Sequence, residues 1–224
     1  MRLATWNVNS VTARMQRLLD WLGRVRPDVV CLQETKVVQF PAAGVEQLGY
    51  RVAAYGLGRW NGVAILSRVG IDDIKAGFAG EPGFAQVEAR AIAITCAGVR
   101  IWSVYVPNGR TPTDDHYSYK LSWLKALHNA LAEEVTAHTD LVVCGDFNIA
   151  PTDADVWDPT AFVGATHVTE PEREALAALR SLGLHDVIPT PMKGSNPLPT
   201  GTIGQACSTK TRGCASTSSM PQRR

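Results

Sequence analysis

The sequence predicts a layered fold of the α/β or α+β class, and three observations carry that prediction. Short apolar runs of strand length alternate along the chain with stretches of helical period. Hydrophobic residues make up 45% and charged residues 19%, a balance that favours a globular chain over a disordered one. The 224 residues are enough to bury a sizeable core, as one large domain or two small ones at roughly 150 residues per domain.

Residues 2–8 (RLATWNV) read as a strand. A helix follows, because Asn9 or Ser10 can cap it and Val11, Met15, Leu18, Leu19, Leu22 and Val25 share one apolar stripe. Pro27 ends that pattern, and residues 28–33 (DVVCLQ) form a buried strand ending at Glu34. Further strands are expected at 51–55, 62–67, 85–95 and 99–106, the last two as a hairpin across Ala97-Gly98. A long helix is expected at 115–138, capped by Asp114, with Tyr117, Leu121, Leu124, Leu131 and Val135 on one face. Residues 140–144 make another buried strand, opening onto GDFNIAP. A last helix covers 170–182, where Thr169 and Glu172 have capping-box spacing and Gly183 is a fitting stop.

Apolar runs fall short of the ~20 residues that a membrane span needs. The start of the chain, MRLATWNVNS, lacks a signal-like apolar stretch, so a cytoplasmic protein is expected. Cys31, Cys96 and Cys144 sit inside apolar runs, and the five cysteines fit neither a zinc pattern nor a disulfide framework. They read as buried free thiols, with Cys207 and Cys214 left in the tail.

Acceptor-rich residues stand at the C-terminal ends of strands, the edge where open sheets bind ligands. Asn7 follows the first strand, Glu34 the second, and Asp146 with Asn148 a later one. Any one of these alone reads as a cap or turn residue. Together, carboxylate and amide oxygens without Cys or His suit a hard cation such as Mg²⁺ or Mn²⁺.

TWNVNS, CLQETK, WNGVAILSR, YVPNG and GDFNIAP, in this order and spacing, resemble the exodeoxyribonuclease III family of the endonuclease/exonuclease/phosphatase superfamily. The match runs from residue 1 to about 197 and includes GLHDVIPT. The resemblance implies a four-layer α/β-β/α sandwich and a Mg²⁺-dependent phosphodiesterase of base-excision repair. Such an enzyme cleaves double-stranded DNA 5′ to abasic sites and removes nucleotides from 3′ ends. By motif position, Glu34 resembles the main metal-binding carboxylate and Asn7 its supporting neighbour. Asp146 resembles the residue that orients or deprotonates the attacking water. Asn148 resembles a phosphate and transition-state ligand, and Tyr105 the tyrosine near the scissile phosphate. Asp146 and Asn148 are expected beside the metal as well. A monomer is expected.

Other residues receive plainer expectations. Asn61 and Gly62 shape a turn; Trp6, Trp21 and Trp123 belong to the core. Lys36, Arg59 and Arg110 are solvated or touch phosphates; His116, His128 and His138 are exposed, and His167 and His185 match no metal spacing.

The family continues with W-D-Y-R, H-K-N, R-I-D-x-V and a final S-D-H, none of which this chain carries. Its catalytic aspartate and its Asp-His pair therefore have no counterpart. Composition changes at the same place: residues 198–224 hold nine Ser or Thr, no aromatic residue and no acidic one, which predicts a disordered tail. That tail takes four of the 22 basic residues and none of the 21 acidic, leaving 18 against 21, or −3, in residues 1–197.

The cause is legible in codons. Reading the third base of each codon in 199–220 with the first two of the next permits DWDYRAGLFHKNPGLRIDLVY, which holds three of the missing motifs in order. The frame therefore slips between about Gly194 and Pro199, leaving residues 1–197 as an incomplete domain and 198–224 as out-of-frame translation. The expected consequence is a family member with little or no activity. Rival readings are a superfamily phosphoesterase acting on inositol phosphates or sphingolipid, and a non-catalytic DNA-binding remnant, although −3 gives the latter no electrostatic help. The slip predicts that the DNA across codons 193–199 differs by a shifted base from that of related genes; independent reads with an unbroken frame matching theirs refute it.

Overall fold

The computed structural model describes residues 1–187 and the strands 205–210 and 217–219. The chain order is β1 (Leu3–Asn7), α1 (Val11–Val25), β2 (Val29–Gln33), α2 (Ala43–Gln47), β3 (Arg51–Tyr55), β4 (Val63–Ser67), β5 (Asp72–Ala76), β6 (Ala91–Cys96) and β7 (Val99–Tyr105). Then come α3 (Asp115–Ala137), β8 (Leu141–Asp146), α4 (Glu170–Ser181), β9 (His185–Asp186), β10 (Gln205–Lys210) and β11 (Thr217–Ser219).

Two mixed sheets form, in the orders β11-β1-β2-β4-β3 and β5-β6-β7-β8-β10-β9. Period-two alternation decides how they stack, because successive strand residues face opposite sides. Leu3, Val29, Cys31, Ala53, Val63 and Ile65 of the first sheet pack against Ile92, Ile94, Ile101, Val142 and Cys144 of the second. The intervening residues Ala4, Val30, Leu32, Ala64 and Leu66 face the other way, onto Val11, Leu18, Trp21 and Leu22 of α1. On the far side, Ala93, Trp102, Val104 and Val143 meet Trp123, Leu127 and Leu131 of α3 and Leu176 and Leu179 of α4. Three apolar layers thus separate four layers of backbone, helix–sheet–sheet–helix. Full burial of each large apolar side chain contributes about 1.5–3 kcal/mol.

The first sheet contains the parallel pairs β1–β2 and β1–β11 and the second the parallel pair β7–β8, and two of these position the strand ends. β1 runs parallel to β2 with Asn7 opposite Gln33; β7 runs parallel to β8 with Tyr105 opposite Asp146. All four strands therefore end at the same edge. Gly145 is required there, since a Cβ would lie 1.9 Å from the Val104 carbonyl oxygen.

Expected and observed elements coincide closely for α1, β2, β3, β4, α3, β8 and α4. Ser10 caps α1 by accepting from the Ala13 N–H, and the Thr169–Glu172 capping box is present. The hairpin strand expected at 85–95 begins only at Ala91. β5, with the exposed sequence DDIKA, and the five-residue α2 lack the periodicity that would announce them. Composition assigns 205–210 and 217–219 to disorder, whereas here they are strands: β10 pairs with β8 and β9, and β11 with β1. A strand edge recruits backbone without regard to side chains, which gives the departure its physical reason. The frame slip, the boundary at 197/198 and Cys214 lie outside the described residues. Among the described residues, no helix is long and apolar enough to cross a membrane.

Candidate active site

Five expected site residues meet at the common strand edge. The Asn7 side-chain amide donates to Glu34 Oε1 at 2.7 Å and to Asp146 Oδ2 at 2.8 Å, joining the two sheets across their facing ends. Its own Oδ1 accepts the Asn9 N–H at 3.0 Å. Asp146 Oδ1 accepts the Asn148 N–H at 3.0 Å, and Asn148 Nδ2 donates to the Val106 carbonyl at 2.9 Å. Tyr105 stands opposite Asp146 in the β7–β8 register, within reach of the Glu34 charge. Glu34 and Asn148 have φ of 54° and 50°, left-handed conformations that cost an L-residue on the order of 1–3 kcal/mol and that cluster at functional sites.

Polar ties between the sheets sit directly below. Gln33 Nε2 donates to Thr5 Oγ1 at 3.1 Å and to Ser103 Oγ at 3.0 Å, and Ser103 Oγ donates to the Leu32 carbonyl at 3.2 Å. These buried groups are satisfied only if the sheets keep this register.

A buried ion pair backs the loops that follow β7 and β8. Lys120 of α3 donates to Glu172 of α4 and to the Asn148 carbonyl, with 2.6 Å for the latter. Glu172 Oε1 also accepts from Thr166 Oγ1 at 2.7 Å and from the His167 N–H at 2.9 Å. Burial alone would raise the Glu172 carboxyl, but Lys120, Thr169 and the His167 N–H hold it below the usual range. Asn108 Nδ2 bridges Asn148 Oδ1 at 3.4 Å and His167 Nε2 at 3.2 Å.

Electrostatics at the edge favour a cation. Burial, then the facing Glu34 charge, push Asp146 up to about 6 despite hydrogen bonds from Asn7 and Asn148. Burial and Glu34 likewise raise the Tyr105 phenol. Arg90 lies 4.8 Å from the Tyr105 ring and pairs with Glu88 at 2.9 Å. Glu88 also accepts from the Tyr119 hydroxyl at 2.6 Å. Among the described residues, no three His, Cys, Asp or Glu gather as a metal cluster. The edge instead offers two carboxylates and the Asn7 and Asn148 amide oxygens. That all-oxygen set fits a hard divalent cation, which would relieve the Glu34–Asp146 repulsion.

Plainer expectations divide. The Asn61 carbonyl accepts the Lys36 N–H at 2.8 Å, tying the stretch before β4 to the one after β2. A Cβ on Gly62 would lie 2.3 Å from Thr35 Oγ1. Trp21 and Trp123 are buried; Trp6 is only half-buried, edge-on to Trp21 at 6.3 Å. Lys36 pairs with Glu34 at 2.8 Å and Arg110 with Asp114 at 3.7 Å, while Arg59 lies 5.5 Å from the Trp60 ring. His116, His128 and His138 are half-buried rather than exposed. His116 and His138 turn back onto Asp114 and Glu134, which accounts for their partial burial. Sequence reasoning missed Lys120, Asn108 and the contacts of His167. A lysine inside an otherwise apolar helical stripe was the available signal for Lys120; Asn108 stood within YVPNG.

The chain belongs to the endonuclease/exonuclease/phosphatase family, whose model matches residues 4–214. Within it the chain is of the exodeoxyribonuclease III type, a class of hydrolytic nucleases. It is 28% identical over 190 residues to an exodeoxyribonuclease of Bacillus subtilis (strain 168), covering 83% of this chain and 73% of that one. It is 28% identical to the DNA repair nuclease APEX1 of Danio rerio, covering 83% of this chain and 61% of the relative. Among solved structures, the 3′-5′ exonuclease NExo of Neisseria meningitidis is 33% identical, with a TM-score of 0.82 over 93% of this chain and 86% of that chain. An AP endonuclease of Archaeoglobus fulgidus is 32% identical, with a TM-score of 0.83 over 94% and 87%.

The ion pair makes a quantitative prediction. Lys120→Met strands the Glu172 charge and should cost about 3–5 kcal/mol in urea unfolding, with Lys120→Met/Glu172→Gln recovering part of it. A single-variant loss under about 1 kcal/mol would contradict the role given to the pair.

Glu81 makes another. Burial raises its carboxyl from 4.5 to about 7, against the hydrogen bond it accepts from Trp123 Nε1 at 3.0 Å. The folded state therefore holds this proton more tightly than the unfolded state. Its contribution to stability is full below pH 4.5 and is lost as pH rises through about 7. Glu81→Gln should flatten that decline and exceed the parent in stability at pH 8; a difference between the two that ignores pH would exclude this assignment.

Proposed function

We propose that this chain carries the site of a divalent-metal-dependent DNA phosphodiesterase acting 5′ to abasic sites and at 3′ ends of double-stranded DNA. The observation that supports it best is the convergence of Asn7, Glu34, Asp146 and Asn148 through direct hydrogen bonds. A neighbour supports the substrate: the 3′ phosphatase NExo from Neisseria was solved bound to a product DNA hairpin, at 32% identity and a TM-score of 0.82.

Hydrolysis joins a water oxygen to phosphorus, breaks the bond to the leaving 3′ oxygen and moves one proton from the water. Glu34, with Asn7, Asp146 and Asn148, would hold Mg²⁺ or Mn²⁺, which when bound would neutralise phosphate charge and assist the leaving oxygen. Asp146 orients the water and accepts its proton once ionised. Asn7 holds both carboxylates in place, and the Asn148 amide donates where charge grows on the phosphate. The Tyr105 phenol, kept protonated by burial and by Glu34, is a donor beside the scissile phosphate. The proposed setting is the cytoplasm, as a monomer; the buried free thiols Cys31, Cys96 and Cys144 accord with a reducing compartment.

The same reading holds that the R-I-D aspartate and the S-D-H pair are lost through the frame slip. Removing even one transition-state donor costs about 10²–10³ in rate. The purified chain should therefore cleave an abasic duplex at least about 10²-fold more slowly than a version with the tail restored in frame through S-D-H. It should leave inositol polyphosphates untouched, and Glu34→Gln should abolish Mn²⁺ binding seen by electron paramagnetic resonance. Cleavage that survives chelation or Glu34→Gln would overturn the metal site; equal rates with and without the restored tail would overturn the loss.

A further inference from the structure

The net charge of −3 in residues 1–197 conceals a strong segregation. At the end of the first sheet opposite the carboxylate edge, five exposed arginines gather around residues 24–28: Arg2, Arg24, Arg26, Arg51 and Arg68. Arg2 donates to the Val25 carbonyl and, at 2.9 Å, to the Arg26 carbonyl, which also accepts from Arg68 at 3.1 Å. Arg51 stands opposite Ser67, beside Arg68.

One carboxylate, Asp28, lies within the group. It accepts the Arg2 N–H at 2.7 Å and sits 3.9 Å from Arg68 Nε. Arg2 and Arg68 are thus engaged, sealing the carbonyls that α1 leaves at its C-terminus. Among the described residues, the side chains of Arg24, Arg26 and Arg51 have no hydrogen-bond or ion-pair partner. Acidic groups at the same end of the second sheet are partly neutralised: Asp73 and Glu134 pair with Arg100, and Glu134 also with Lys75. Asp72, Asp140 just before β8 and Glu133 near the end of α3 are the carboxylates there without an ion pair among the described residues.

From this cluster we infer a second nucleic-acid contact: the Arg24–Arg26–Arg51 face binds the phosphate backbone of a DNA segment other than the one at the carboxylate edge. Guanidinium groups match phosphate oxygens bidentately and are weakly hydrated, so a convergent set suits a polyanion. A protein partner would need an apolar or aromatic anchor, and the exposed apolar side chain next to Arg68 is Val69, only 37% exposed. The two surfaces lie at opposite ends of the strands, about 17–20 Å apart, so one straight duplex lying across the carboxylate edge leaves the arginines free. Binding here needs no base contact and is sequence-independent.

The inference rests on the DNA reading above but is tested separately from it. The probe is a closed DNA dumbbell, which has neither ends nor abasic sites, followed by fluorescence anisotropy across a salt series. Arg24→Gln/Arg26→Gln/Arg51→Gln should weaken binding at least about tenfold and lower the slope of log K against log salt by about 2–3, at roughly 0.9 per phosphate contact. Its urea midpoint should stay that of the parent. A triple variant that binds like the parent overturns the inference. So does a Glu-rich peptide that binds the parent more tightly than the dumbbell and is lost in the triple variant, since that assigns the face to an acidic protein. Failure of the version with the tail restored in frame to cleave an abasic duplex, with the dumbbell result intact, would sink the catalytic reading and leave this surface standing.

Discussion

The arrangement of the loops at the strand edge depends on one buried interaction, the Lys120–Glu172 ion pair. Both side chains are fully buried, and each is costly to bury alone. Their surroundings make the burial tolerable: the ammonium meets the Asn148 and Asn108 carbonyls, and the carboxylate collects donors from Thr166, His167 and Thr169. The pair therefore joins α3, α4 and the two connections that follow β7 and β8 at one point. Asn148 can hold a left-handed backbone next to Asp146 because its carbonyl is pinned from beneath.

The Asn7 amide plays a corresponding part above. Each of its two amide hydrogens meets a different carboxylate, one from each sheet. Two like charges are thereby held close in a partly desolvated place, and the elevated Asp146 pKa records the cost. A site that stabilised its own carboxylates fully would have little affinity left for a cation. This one leaves the repulsion in place, which is the electrostatic condition that a bound divalent ion satisfies.

Much of the fold was legible in advance, and the reasons are local. Alternating apolar residues in VVCLQ, VAILS and LVVCGD, the stripe of α1 and the Thr169–Glu172 cap are properties of neighbours in sequence. Elements without such a pattern escaped: β5 is an exposed edge strand, α2 is a single turn and a half, and β10 and β11 lie in a stretch whose composition lacks strand periodicity. Asn7, Glu34, Tyr105, Asp146 and Asn148 were legible as strand-end residues and through motif resemblance. Lys120 looked like an ordinary helix lysine, and Asn108 like part of a turn.

The sequence by itself determined where the strands and helices with a clear period lie, which of their faces are apolar, and which acceptor groups close the strands. It also determined the composition break after residue 197. Periodicity and capping are short-range, so they survive translation into a single line of letters. Only the tertiary structure decided that Asn7 and Asp146, 139 positions apart, share a hydrogen bond, and that Lys120 finds Glu172. Charge followed the same division: a net value is a sum without positions, and folding alone set carboxylates at one end of the strands and arginines at the other.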